Sequence, residues 1–141
     1  MTSKIKSFDE LKSVQKRLKA GRDPKKPCIT VCVGTGCLAY GTKKLVDNFR
    51  EELAKRGLAE KIEFRTTGCH GFCERGPMIV ISPEKIFYQR VGLADAGEII
   101  DKTLLKGEII DRLLYVDPAT GEKVVHEDDV PFYKKQTRLV F

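Results

Sequence analysis

Four of the five cysteines fall in two short segments, Cys32-Val33-Gly34-Thr35-Gly36-Cys37 and Cys69-His70-Gly71-Phe72-Cys73. The spacings are C-x4-C and C-x3-C, with 31 residues between the pairs. Thiolates grouped in this way are ligands for a soft metal centre, and four of them suit either one zinc or a [2Fe–2S] cluster. Glycines crowd both segments: Gly34, Gly36, Gly41, Gly68, Gly71 and Gly76. They let the backbone turn tightly enough for N–H groups to point at sulfur, which helps to set a cluster's potential. Gaps of four and three residues embrace two irons more comfortably than a single ion, so the spacing favours the cluster. Zinc and unligated thiols stay open as alternatives.

The remaining residues narrow the chemistry. Cys28 precedes Cys32 by four positions in an extended segment, about 13 Å away at ~3.3 Å per residue. It reads as a small buried apolar residue. No C-x-x-C pair is present for thioredoxin-type dithiol exchange. A Rieske centre needs two histidines, and His70 and His126 are the only two in the chain. With four cysteines available, His70 is expected to order its loop rather than bind metal. Gly34, Gly36 and Gly41 do not make G-x-G-x-x-G, and no P-loop lysine occurs, so no nucleotide site is expected.

The elements that must position these residues follow from periodicity. Cys28–Val33 is a short β-branched strand running into the first glycine-rich loop. Thr42 is placed to cap a helix to Arg56, with Leu45, Val46, Phe49 and Leu53 as its inner stripe. Ile62, Phe64 and Thr66 alternate with Glu63 and Arg65 as a second strand. In βαβ order the two strands are parallel, so both cysteine pairs emerge at one sheet edge. After the second loop, Met78–Ile81, Ser82-Pro83-Glu84 and Lys85–Gln89 form a hairpin, and Asp95–Leu105 a helix. The central order βαβ–ββα is the thioredoxin-like arrangement, an α/β fold with helices on the faces of a mixed sheet.

Flanking segments complete the chain. Ser7-Phe8-Asp9-Glu10 is a capping box opening an amphipathic helix, with Phe8, Leu11, Val14 and Leu18 expected to pack on the body. Residues 108–141 contain a short hairpin around Asp117–Gly121, an acidic turn (Glu127, Asp128, Asp129) and an apolar end, Gln136–Phe141. That end reads either as a terminal strand or as the break in a longer protein, and the latter is expected. The organisation is therefore residues 1–27 (basic helix and linker), 28–107 (central domain) and 108–141 (hairpin and junction).

The chain has 141 residues, enough for one domain, and a formal net charge of +6. Residues 1–27 hold nine basic and three acidic residues, the entire excess, while residues 28–141 are balanced at 17 of each. The charge therefore describes the N-terminal arm and argues against a nucleic-acid-binding body. No apolar run approaches the roughly 18–20 residues of a membrane span, and no secretory signal opens the chain. An odd cysteine count without an export signal argues against a disulfide scaffold, and a cytoplasmic location is expected.

At Cys32-x4-Cys37, Gly36, Gly41, Thr67-Gly68-Cys69-x3-Cys73 and Gly76-Pro77-Met78 the sequence resembles the thioredoxin-like [2Fe–2S] ferredoxin family. The resemblance implies that Cys32, Cys37, Cys69 and Cys73 ligate the irons of one [2Fe–2S] cluster, and that the domain carries single electrons. Arg112–Tyr115, Asp117-Pro118-x-Thr120-Gly121 and Val130–Gln136 with Arg138 resemble the junction in flavin-carrying NADH-oxidising subunits of hydrogenases, formate dehydrogenases and complex I relatives. That implies FMN and NAD(H) in a missing remainder of a parent subunit, with no NADH oxidation by this segment alone. Other redox subunits or domains are the implied partners, and self-association into a homodimer is open. The competing reading is a zinc-stabilised or metal-free interaction module that docks through the basic N-terminal helix.

Overall fold

A computed structural model of the chain describes residues 4–21 and 23–137. Helix α1 (Phe8–Ala20) precedes strand β1 (Cys28–Cys32), a short helix α2 (Thr35–Ala39) and α3 (Thr42–Lys55). Strands β2 (Glu63–Thr67), β3 (Ile79–Ser82) and β4 (Ile86–Tyr88) complete a four-stranded sheet in the order β2-β1-β3-β4. β1 runs parallel to β2, from Cys28 opposite Glu63 to Cys32 opposite Thr67. It runs antiparallel to β3, which pairs antiparallel with β4. The sheet is mixed and thioredoxin-like, as the element order predicts.

Alternation along the strands sorts the core into two layers. Ile29, Val31, Ile79, Ile81 and Tyr88 face Leu45, Val46, Phe49 and Leu53 of α3, together with Ile99 and Ile100. Those last two follow helix α4 (Asp95–Glu98), in a stretch to Leu104 that winds more widely as a π-helix. Cys32, Met78, Val80 and Phe87 face the other way, toward Cys37, Tyr115, Val130 and Tyr133. Both long helices of the domain thus share one face. The second face is covered by the C-terminal segment: a small ladder of β5 (Tyr115–Val116) with β6 (Lys123–Val124), a 3₁₀ turn at Glu127–Asp129, and helix α5 (Pro131–Lys134).

One expectation needs correction here. The capping box forms, with Ser7 Oγ accepting from Glu10 N at 3.2 Å and Glu10 Oε2 accepting from Lys6 N at 2.7 Å. The apolar stripe of α1, however, does not pack on the body. No α1 residue is buried, and Phe8 is 67% exposed. Helical period decides which residues share a stripe; a surface to receive that stripe is a separate requirement. The apolar end, Gln136–Phe141, read as a terminal strand or as a break, falls mostly on residues 138–141, which lie outside the described residues; Gln136 N bonds back to Tyr133 O at 2.9 Å, closing α5. Among the described residues no helix is long and apolar enough to cross a membrane.

Candidate metal centre

Parallel pairing of β1 with β2 brings the cysteines together. Cys32 ends β1 opposite Thr67, and Val33 N donates to Thr67 O at 2.9 Å, so both chains leave the sheet side by side. Cys69 follows two residues after β2. Cys32 is further fixed by its own N–H, which donates to Met78 O at 3.1 Å. Cys37 is carried inward by α2, an element that the glycine-rich sequence does not announce. Thr42 Oγ1 donates to Cys37 O at 2.7 Å in a fully buried contact. This corrects the expected role of Thr42: Gly41, with φ +86°, occupies the cap position of α3, and the hydroxyl turns back to hold Cys37.

The four thiols form one interacting group. Cys69 Sγ and Cys73 Sγ lie 3.4 Å apart, and Gly71 N donates to Cys69 Sγ at 3.2 Å. The Cys32 thiol donates to Gly68 O at 3.5 Å. Burial pushes the Cys37 thiol up to about 12, with the adjoining Cys32 adding to the rise. Cys73 is raised by its hydrogen bond with Cys69, then by desolvation and the nearby charge of Cys69 and Cys32. Thiols so packed resist ionising together unless positive charge is supplied among them.

Glycines make that packing attainable. A Cβ on Gly34 would stand 2.7 Å from Cys69 Cβ and 2.9 Å from Cys69 Cα, so the first loop lies against the second with no room for a methyl group. A Cβ on Gly76 would stand 2.9 Å from Cys37 Sγ. Gly71, between Cys69 and Cys73, has φ +82°, a conformation L side chains rarely adopt. Among the described residues no three His, Cys, Asp or Glu side chains close on one ion-sized point. The thiols instead meet as two pairs, Cys32 with Cys37 and Cys69 with Cys73. A donor set of four sulfurs in a glycine-lined cradle fits a [2Fe–2S] cluster.

Cys28 is buried at the opposite end of β1, its Sγ 3.8 Å from Thr30 Oγ1, and does not join the group. His70 Nδ1 lies 3.3 Å from Glu127 Oε1, and its ring meets Tyr133 edge-on at 6.4 Å. It leans on the C-terminal segment. The contributions of Thr42, Glu127, Phe132 and Tyr133 are not visible in the cysteine pattern. For the last two the one sequence signal is an adjacent aromatic pair, Phe132-Tyr133, shortly after the acidic turn.

Comparison with known proteins places this geometry in context. The sequence pattern described as thioredoxin-like [2Fe-2S] ferredoxin matches residues 20–104. The chain is 35% identical over 77 residues to a 2Fe-2S ferredoxin of Clostridium pasteurianum, covering 55% of this chain and 76% of that protein. It is 29% identical over 129 residues to the NADP-reducing hydrogenase subunit HndB of Solidesulfovibrio fructosivorans, covering 87% of this chain and 98% of that subunit. The 1.5 Å crystal structure of the thioredoxin-like [2Fe-2S] ferredoxin from Aquifex aeolicus superposes with a TM-score of 0.59 at 28% identity, covering 63% of this chain and 95% of that one.

Proposed function

The chain belongs to the thioredoxin-like [2Fe-2S] ferredoxin family, and on that footing we propose that Cys32, Cys37, Cys69 and Cys73 ligate one [2Fe–2S] cluster through which it passes single electrons. The observation that carries the assignment is the convergence of these four thiols across glycines that leave no space for a side chain. Held by Cys32, Cys37, Cys69 and Cys73, such a cluster would supply one-electron chemistry, its two states being two ferric ions and one ferric with one ferrous ion. The chain's own residues bury Cys32 and Cys37, donate the Gly71 N–H to the Cys69 sulfur, and leave Cys69 exposed.

The same proposal extends to context. Alignment with nearly the whole of a hydrogenase subunit supports a role as the electron-carrying part of a multi-subunit NAD(P)-linked oxidoreductase. The FMN and NAD(H) sites of that enzyme lie outside this segment, and its partners are other redox subunits or domains. The setting is cytoplasmic, where thiols stay reduced. Helix α1 favours one element of the competing reading: a basic helix with an uncovered apolar stripe is suited to dock a partner, whichever metal the thiols hold.

Metal and sulfide analysis of anaerobically purified protein tests the reading. Iron and sulfide in equal amounts, visible charge-transfer absorption and an EPR signal appearing only on reduction are expected. Cys69→Ser abolishes or distorts these signals and Cys28→Ser leaves them intact. Stoichiometric zinc without iron or sulfide overturns the proposal.

A further inference from the structure

The segment that covers the second face of the sheet lies beyond the residues matched by the family pattern, and it reaches the C-x3-C loop at every intervening residue. His70 Nδ1 stands 3.3 Å from Glu127 Oε1. Phe132 Cζ comes within 3.6 Å of the position a Cβ on Gly71 would take. The Phe72 ring stacks on Phe132 with centroids 4.5 Å apart and planes 4° from parallel. It also meets the edge of Tyr133 at 6.0 Å and Tyr115 at 5.6 Å. The segment is itself anchored to the opposite edge of the sheet. Phe87 N donates to Val125 O at 2.8 Å and Glu127 N to Lys85 O at 2.9 Å, while Tyr133, 5% exposed, donates through its hydroxyl to Met78 Sδ at 3.8 Å.

We infer that residues 126–133 are a positioning strap for the C-x3-C loop, with Phe132 the residue that holds Phe72, and through it Cys69 and Cys73, in the arrangement that receives the cluster. The inference rests on the proposed cluster assignment. Physically, β2 is an edge strand whose loop lacks the buried backbone anchors that Cys32 and Cys37 enjoy. A flat aromatic stack supplies orientation as well as apolar contact. Cys69 already meets solvent, and the strap covers the loop behind it, where the His70 side chain is 14% exposed. Solvent favours the more highly charged, reduced form of a cluster, so loosening the strap makes the reduction potential less negative.

The test uses the full chain, loaded anaerobically, with Phe132→Ala, Phe132→Leu and Phe132→Tyr. Thermal unfolding of the metal-free forms checks that each folds, and Phe132→Leu, which keeps apolar volume without a flat ring, replaces the alanine variant if that one does not. Phe132→Ala is expected to release iron to a chelator about two- to tenfold faster than wild type, the range a lost aromatic stack implies. Its potential moves positive, and Phe132→Tyr restores both values. Wild-type protein without iron or sulfide overturns the cluster reading and this inference with it. Loaded variants that match wild type in release rate and potential overturn the strap alone, as does equal loss in the alanine and tyrosine variants.

Discussion

The two cysteine loops meet at one site but are built by opposite means. The C-x4-C loop leaves the central strand and turns at once into α2, with Cys32 1% and Cys37 0% exposed. Its geometry is set by backbone and core: the Cys32 N–H on Met78 O, and the Thr42 hydroxyl on Cys37 O. The C-x3-C loop leaves edge strand β2, turns through a short 3₁₀ segment (Cys73–Arg75), and keeps Cys69 in solvent. It borrows its support from aromatic side chains some 60 positions later in the chain. A site half fixed by the core and half held from outside has one rigid wall and one approachable wall. Solvent reaches the sulfurs through the second.

Thiol chemistry of the metal-free chain measures this difference most directly, and the effect is large. With its thiol pushed from the usual 9.0 to about 12, Cys37 holds about a thousandfold less thiolate below pH 9 than an ordinary cysteine, and burial slows it further. In a mass-spectrometric alkylation time course, Cys69 is expected to be modified first and Cys37 last. The Cys37 rate should climb about tenfold per pH unit from pH 8 upward, because the protonated form persists until the pH nears its raised value. Comparable early rates at Cys37 and Cys69 would erase the contrast between the loops.

The contact between the loops is probed by glycine substitution, with a smaller expected effect. Gly34→Ala drives a methyl group into the Cys69 backbone, where no flexible side-chain end can yield, and should cost about 1–3 kcal/mol of stability. Iron loading falls with it. Gly68 sits beside the same cysteine, yet a Cβ there meets nothing within 4 Å, so Gly68→Ala should load and melt like wild type. Equal loading of the two variants would show that the loops need not touch at Gly34.

What could be read in the sequence follows the same division. The parallel direction of β1 and β2, their shared edge and the inner stripe of α3 are consequences of element order and local pattern, since helical period says which side chains face together. The cysteine spacing marks the site because ligation demands residue types that packing alone does not. Thr42 is misread as a cap because a hydroxyl at a helix start serves either the helix or a neighbouring carbonyl, and only the tertiary position of Cys37 decides which. The packing of α1 is misread because its stripe is visible and the lack of a receiving surface is not. Phe132 is missed because a stack across 60 positions leaves no periodic trace.

A distal change separates local from global causes of the contrast, and its effect is the smallest. α3 begins beside Cys37 and runs about 21 Å from the site at 1.5 Å per residue. Beyond its far end, Arg56 forks onto Asp101, Nε to Oδ1 at 2.8 Å and Nη2 to Oδ2 at 2.9 Å. The Arg56 hydrogen bonds hold Asp101 below its usual 3.8. Because the folded value lies under the unfolded one, the pair's stabilisation is complete above about pH 5 and is lost as acid protonates the folded carboxylate. Asp101 is half exposed, so solvent and salt keep the contribution modest. Asp101→Asn should therefore lower the melting temperature slightly at pH 7, less in high salt, and converge with wild type only as the pH falls through the folded value, which lies below 3.8. If Cys37 is protected by its own burial, its alkylation rate relative to Cys69 stays as in wild type. If it reacts only through global unfolding, the weakened fold raises the Cys37 rate and leaves the Cys69 rate unchanged, and the rigidity assigned to the C-x4-C loop then belongs to the whole domain.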